Sequence, residues 1–328
     1  MPQLRQNIIT GDWVVIAPER AKRPQDFVTP KSVEVSKKED CPFCPGGPSY
    51  KTRIKSEDTK NIYVIQNKFP AFVEDGIKNG RSIYVEDEFY RARPSIGDHE
   101  VIVIKNHNLN IFSFSNSLML EMFQVMQKRF IHMKKDEEVA SIMPIYNHGS
   151  EAGASIIHPH AQIFASGIVA NTVGREMEGA ERYFGINGVC VFCDILHHER
   201  RQKVRVVAEN KDFAAFAFYA ARFPFEIWVM PKKHDSQFEN SSPSLLKNLA
   251  EIMTEALGKL NKTLKNPPLN FYIHTLPTTL EHSNYYHWHV EITPRLSLYG
   301  GFEIGSGVII DVMNPEDAAG YLNGKKKD

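Results

Sequence analysis

One order of residues runs twice along this chain, and no other feature restricts its fold as much: Cys-x-x-Cys, then a lone histidine, then His-x-His. The first pass is Cys41, Cys44, His107 and His158-Pro-His160, and the second is Cys190, Cys193, His234 and His287-Trp-His289. These are all four cysteines of the chain. From the lone histidine to the first of the pair is 51 positions in the first pass (107 to 158) and 53 in the second (234 to 287). From second cysteine to lone histidine the passes differ, 63 positions against 41 (44 to 107; 193 to 234), so the first carries an insertion there. One pseudo-repeat of this size predicts a duplicated fold rather than a solenoid. At 328 residues the length suits two domains, which we place at 1–175 and 176–328.

Composition narrows the function classes. Lysine and arginine balance aspartate and glutamate at 39 each, so the surplus of positive charge that a phosphate-backbone binder needs is missing. No nucleic-acid partner is expected. The N-terminal Met1-Pro-Gln-Leu-Arg lacks the apolar stretch of a signal peptide, and no apolar run approaches a membrane span, so no membrane partner is expected. Two Cys-x-x-Cys pairs in a chain of this length suit metal or redox chemistry in a reducing compartment, and the reading places the protein in the cytoplasm.

Periodicity gives the elements. Residues 8–17 read as two short strands around Gly11-Asp12, and 62–66, 82–85 and 100–104 read as further strands. Leu118, Met122, Val125, Met126, Phe130 and Met133 fall in steps of three and four, which predicts a helix over 117–134. Strands follow at 140–146 and 155–165. After a charged stretch near 175–183 the pattern restarts, with strands at 212–219 and 225–230. A helix then runs from Pro243 to Leu264, with Ser242 as its N-cap. Strands at 270–274 and 286–293 close the second half. Both halves thus read as strands, one long helix and then a pair of strands ending in His-x-His, a mixed α+β pattern.

Four constellations carry chemistry. Cys41, Cys44, His107 and His158 offer two thiolates and two imidazoles, which suits a closed, structural zinc site. The alternative is free thiols beside unrelated histidines, and repetition of the pattern at Cys190, Cys193, His234 and His287 favours metal in at least one half. In a strand, His158, His160 and Gln162 share a face. If His158 holds zinc, His160 stands beside it as a fixed imidazole, able to act as a nucleophile on phosphorus. Ser155 and Gln162 would donate to the phosphoryl oxygens; the alternative is a core histidine. Arg20 and Arg23, in a short Pro-ended loop, suit a diphosphate or are a solvated basic turn. The glycine-containing loop from Asn147 to Ser155 can present N–H groups to an anion or serve as a connector.

His158-Pro-His160-Ala-Gln162, preceded by Asn147 and Gly153-Ala-Ser155, resembles the active-site signature of the galactose-1-phosphate uridylyltransferase family of the histidine triad superfamily. Arg20-Ala-Lys-Arg23-Pro, Cys41-Pro-Phe-Cys44, Gln66-Asn67-Lys68-Phe69-Pro70 and Gly301-Phe302-Glu303 resemble family motifs in the family's order. The resemblance covers nearly the whole chain. It implies two histidine-triad-like halves, each an antiparallel sheet with helices, in a homodimer. It also implies ping-pong transfer, in which His160 takes a nucleotide from a nucleotide sugar and a sugar 1-phosphate then removes it. UDP-glucose and galactose 1-phosphate are the default pair. His158, Cys41, Cys44 and His107 match the family's zinc positions, and Ser155 and Gln162 its phosphate contacts. Arg20, Arg23, Asn67 and Asn147 match residues lining the nucleotide and phosphates, and Glu303, beside Phe302, matches a hexose contact.

The chain also departs from the pattern. Many uridylyltransferases carry a lysine just before the Gly-Phe-Glu motif and a glutamine just after it, whereas these stretches read Ser297-Leu-Tyr-Gly and Gly305-Ser-Gly-Val-Ile309. Residues 220–228 and 300–307 are similar to those of the related ADP-glucose phosphorylases, which use adenylate in place of uridylate and phosphate as acceptor. The second zinc set resembles one found in such relatives. His289 occupies the place of His160, but Glu291 stands where Gln162 does, so catalysis is expected in the first half alone.

Overall fold

The computed structural model describes residues 1–20, 38–73, 85–86 and 88–326. The strands of the first half are β1 (Gln3–Gln6), β2 (Trp13–Ile16), β3 (Ile62–Gln66), β4 (Val85–Glu86), β5 (Arg91–Ala92), β6 (Gly97–Ile104), β7 (Ser141–His148) and β8 (His160–Ser166), with helix α1 (Asn116–Met133) between β6 and β7. Helices α2 (Asn171–Asn187) and α3 (Val191–Gln202) lead to β9 (Val206–Glu209), β10 (Phe213–Ala217) and β11 (Ile227–Pro231). Helix α4 (Pro243–Leu264), β12 (Leu269–His274), β13 (His289–Pro294), α5 (Gly301–Ser306), β14 (Ile309–Asp311) and α6 (Pro315–Leu322) complete the chain.

The sheets of the two halves are joined. Nine strands run in the order β3-β6-β8-β7-β12-β13-β11-β10-β9, antiparallel at every pairing. The seam is β7–β12, where Asn147 pairs with Asn270 and Tyr146 with Phe271. On either side the order mirrors itself, which is how the duplicated motif appears in space. The division expected after residue 175 falls inside α2. A smaller sheet, β1-β2-β14, ties the two ends of the described chain together.

Strand alternation gives the large sheet two different faces. Ile142, Tyr146, Ala161, Ile163, Phe271, Ile273, Val290 and Ile292 point to one face and pack beneath α1 and α4 in a single core. Both helices follow the predicted stripe. Ser115 caps α1 by accepting from Leu118 N, and Ser242 caps α4 by accepting from Leu245 N, each at 3.2 Å. Arg129 of α1 reaches down to Glu100 of β6 through paired bonds of 2.7 and 2.6 Å, with Glu100 wholly buried. Removing one partner of a buried ion pair leaves the other uncompensated. Arg129→Leu is therefore expected to cost about 3 kcal/mol of unfolding free energy, read from urea midpoints at unchanged slope.

Three local expectations shift. The first hairpin pairs residues 3–6 with 13–16, and Ile8-Ile9 lies in its turn. Asn7 accepts from Ile9 N at 2.9 Å, and Ile9 is buried against α2, so the apolar pair packs as a turn rather than a strand. Strand β8 starts at His160, not 155, because Pro159 has no N–H to give the ladder and its carbonyl caps Ile104 N at 3.0 Å. The charged stretch near 175–183 is helical. The strand expected at 82–85 lies mostly outside the described residues, with Val85 inside β4.

Candidate active site and metal centres

The other face of the sheet carries the chemistry. Cys41 and Cys44 sit in a turn before β3, closed by Cys44 N donating to Cys41 O at 3.2 Å. His107 follows β6 and His158 precedes β8, so three separate segments converge. Cys44 Sγ lies 3.3 Å from His107 Nδ1 and 3.5 Å from His158 Nδ1, and Cys41 Sγ lies 3.4 Å from His158 Nδ1. The two Nδ1 atoms are 3.0 Å apart. Tetrahedral bonds of zinc length put neighbouring ligand atoms roughly 3.3–3.8 Å apart, so the three sulfur–nitrogen spacings suit a small four-coordinate ion. All four residues are buried. His158 Nε2 stands 2.6 Å from Ile104 O, an acceptor only, so the proton is on Nε2 and the Nδ1 lone pair faces the sulfurs. Burial holds the proton affinity of His158 down, to about 4.

His160 is the first residue of β8. Its Nδ1 donates to His158 O at 2.8 Å, which leaves Nε2 as a lone pair. Burial lowers its pKa, the carbonyl contact opposing, so the ring is held neutral. The backbone that presents His158 to the metal set is thus the same backbone that orients His160. His158 itself precedes the strand, so the shared face holds His160 and Gln162 but is not reached from His158 by strand alternation.

Gln162 lies two residues along on the face of His160. His99 Nε2 stands 2.8 Å from Gln162 Oε1 and 3.0 Å from Asn67 Nδ2, with its ring stacked on Phe164 at 3.8 Å. His99 thereby joins two of the expected site residues, and the sequence reading missed it. A histidine eight positions before the expected ligand His107 is the only signal the sequence gives. Asn147 extends the β7–β8 register by one beyond Tyr146–Ala161, opposite His160. Ser155 is exposed in the loop that enters β8.

Other expected residues are not brought together. Arg20 is exposed at the end of one helical turn after β2, and Arg23 lies outside the described residues. Phe302 and Glu303 lie on α5, just beyond Tyr299, whose ring stacks on Phe223 at 5.3 Å ahead of β11. Glu303 caps its own helix, accepting from Gly300 N at 2.9 Å. β11 is four strands from β8, roughly 19 Å at the usual spacing, so one chain does not set Glu303 beside His160.

The second set also converges. Cys190 is the N-cap of α3 and Cys193 lies in its first turn. Cys193 Sγ is 3.3 Å from His234 Nδ1 and 3.5 Å from His287 Nδ1. His234 Nε2 is held 3.0 Å from Ser283 O, the same arrangement as at His158. This set is less enclosed, because Cys193 and His234 are only half-buried.

A third cluster escaped the sequence reading. Glu176, His274, His289 and Glu291 are all buried, with ligand atoms within 4.8 Å of one another, so they too offer a cation-binding set. Glu176 belongs to the charged stretch and His274 ends a strand; neither has the Cys-x-x-Cys spacing that announces the other sets. His289 repeats the geometry of His160, with Nδ1 donating to His287 O at 3.1 Å and Nε2 left as a lone pair. Its surroundings differ. Arg222 and Tyr272 both donate to Glu291 Oε2, and His274 pairs with Glu176 at 3.1 Å. Burial alone would raise Glu291, but Arg222 and His274 more than offset it and hold its carboxyl below the usual range.

Residues 1–170 match the family described as galactose-1-phosphate uridyl transferase, N-terminal domain, and residues 176–304 match its C-terminal domain. The chain is 32% identical to an ADP-glucose phosphorylase of Arabidopsis thaliana over 97% of its length and 91% of the relative's. It is 26% identical to a galactose-1-phosphate uridylyltransferase of Thermotoga maritima, covering 98% of both. A crystal structure of an ADP-glucose phosphorylase from Arabidopsis thaliana with bound ADP-glucose superposes with a TM-score of 0.82 at 30% identity, covering 98% of this chain and 99% of that one.

Proposed function

The chain belongs to the galactose-1-phosphate uridyl transferase family, a family of enzymes, and on that footing we propose that it transfers a nucleotide through His160 in two steps. In the first, His160 Nε2 forms a bond to the α-phosphorus of a nucleotide sugar as the bond to the sugar 1-phosphate oxygen breaks. In the second, an oxygen of the acceptor phosphate takes the nucleotide and the phosphorus–nitrogen bond breaks. The observation that carries this reading is His160 itself, a neutral imidazole whose Nδ1–H is tied to His158 O, leaving Nε2 as the nucleophile. Gln162, Asn147, Asn67 and Ser155 are the groups proposed to meet the phosphates, with Arg20 and Arg23 at the nucleotide.

The donor favoured is ADP-glucose with inorganic phosphate as acceptor, ahead of UDP-glucose with galactose 1-phosphate. Two features support that order. The phosphorylase relative is the more similar of the two compared, over nearly the whole chain. The stretches 297–300 and 305–309 also lack the lysine and glutamine that serve the hexose in many uridylyltransferases. Assayed side by side, ADP-glucose with phosphate should turn over at least about tenfold more efficiently than UDP-glucose with galactose 1-phosphate. The reverse ratio would restore the uridylyl reading, and release of nucleotide to water in both would make the protein a hydrolase.

Zinc is the metal that the Cys2His2 donor sets suit, as a structural ion in the first set and in the second. It would hold Cys41, Cys44, His107 and His158 together and supply no reactive group. A homodimer is proposed because Leu298, Phe302 and Ile304 are exposed around α5, where a second copy could cover them and carry Glu303 toward a sugar. The halves 1–175 and 176–328 are proposed as the repeating units. Four unpaired thiols support a reducing, cytoplasmic setting, and no helix among the described residues is long and apolar enough to cross a membrane.

A further inference from the structure

We infer that Asn270, a residue of the second half, is a positioning residue for the first-half site: it fixes which end of the Asn147 amide faces the substrate. The inference rests on the proposal that Asn147 meets the nucleotide phosphates. Asn147 and Asn270 are register partners across the β7–β12 seam, so their side chains share a face, and that face also holds His160 and Gln162.

The hydrogen bonds leave one orientation. Asn270 Nδ2 stands 2.7 Å from Ala152 O, and a backbone carbonyl only accepts, so the nitrogen end of Asn270 must be there. Arg295 Nη1 donates to Asn270 Oδ1 at 3.5 Å, which fixes the other end independently. The second hydrogen of Asn270 Nδ2 goes to Asn147 Oδ1 at 2.7 Å. Asn147 is therefore held oxygen-inward, and its Nδ2 is turned outward as a donor. A free asparagine presents oxygen or nitrogen with little preference, and an oxygen facing a phosphate would repel it. The hydrogen given to Ala152 O also anchors the Gly149–Gly153 turn, whose glycines have φ of +86° and +82°.

The arrangement predicts how variants interact. Asn270→Asp keeps the shape and removes both donors, so Asn147 is no longer held oxygen-inward. Transfer efficiency, kcat/KM, should fall about 10- to 100-fold with Asn270→Asp or Asn147→Ala, divided between kcat and KM in the same proportion. The double variant Asn147→Ala/Asn270→Asp should lose at least about fivefold less than the product of the two single losses. Thermal midpoints are measured alongside, and Asn270→Asp is expected to stay folded because its size is unchanged. Losses that multiply in the double variant would overturn the inference. So would an Asn270→Asp enzyme within twofold of wild type, or an indifferent Asn147→Ala. If the wild type transfers nothing from either nucleotide sugar, the transfer reading fails on its own. The same cycle is then read in AMP and UMP affinity, where coupling supports the inference and additivity overturns it.

Discussion

His160→Ala is expected to lose nucleotidyl transfer by a factor on the order of 10³ or more while keeping its fold. The size follows from what the side chain does. A displacement at phosphorus is divided into two easier steps only if one atom can take the nucleotide, and His160 Nε2 is placed for that task by a hydrogen bond at Nδ1 that no other residue type reproduces. Its neutral state comes from burial, so the lone pair is present without a separate base. The stability cost should be modest, because His160 opens a strand and lies on the site face rather than in the helix-covered core. Steady-state turnover with either nucleotide sugar measures the loss, and thermal midpoints check the fold. A variant that keeps a tenth of wild-type turnover removes His160 from the mechanism.

Loss of the first metal set should be as severe for the fold. Three segments separated by 63 and 51 positions are drawn together at Cys44, His107 and His158, all of them buried. Without an ion, two thiols and two imidazoles are packed against one another with no metal bonds to hold the three segments together. Structural zinc in small domains supplies binding energy comparable with a whole domain's stability. Cys44→Ser is therefore expected to cost on the order of 5 kcal/mol. Activity should fall with it, since His158 and His160 share one stretch of backbone. Cys193→Ser should cost less, because that set is more open and its own histidine pair ends in the closed cluster around Glu176. Metal analysis of wild type and both variants, with urea unfolding of each, tests the ranking. Equal losses for the two variants would contradict it.

Much of this was legible in the sequence because short-range patterns carried it. α1 and α4 announce themselves through steps of three and four, and Ser242-Pro243 marks the start of α4 within one residue. Both Cys2His2 sets follow from spacing, since a Cys-x-x-Cys turn and a strand-entering His-x-His are local. What was hidden depends on distant pairing. The β7–β12 seam that joins two sheets into one leaves no mark on either strand: Asn147 reads as a loop start and a candidate phosphate contact, Asn270 as the first residue of a strand, and nothing in the sequence pairs them. α2 carries Arg175, Glu178 and Glu181 as exposed charges and Glu176 as a buried one, so its apolar stripe of Val173, Gly179 and Ala180 is too thin to outweigh them. His99 and His274 lack a motif, and only the folded sheet shows that they touch Gln162 and Glu176.

The site residues follow the same division. His160 and Gln162 are two apart on one strand and were read together from alternation. Glu303 matches a motif, yet it sits across the sheet from His160, because α5 packs beside β14 and the loop before β11. Placing it would have required knowing the strand order, which no periodicity encodes.

The most direct test of the central claim is the mass of the intact protein after incubation with ADP-glucose, and separately with UDP-glucose, in the absence of an acceptor. The account predicts a gain of one nucleotidyl group, mapped to His160, reversed by adding phosphate or hexose 1-phosphate, and missing from His160→Ala. An unmodified wild type that still turns over, or an adduct carried equally by His160→Ala, would contradict it.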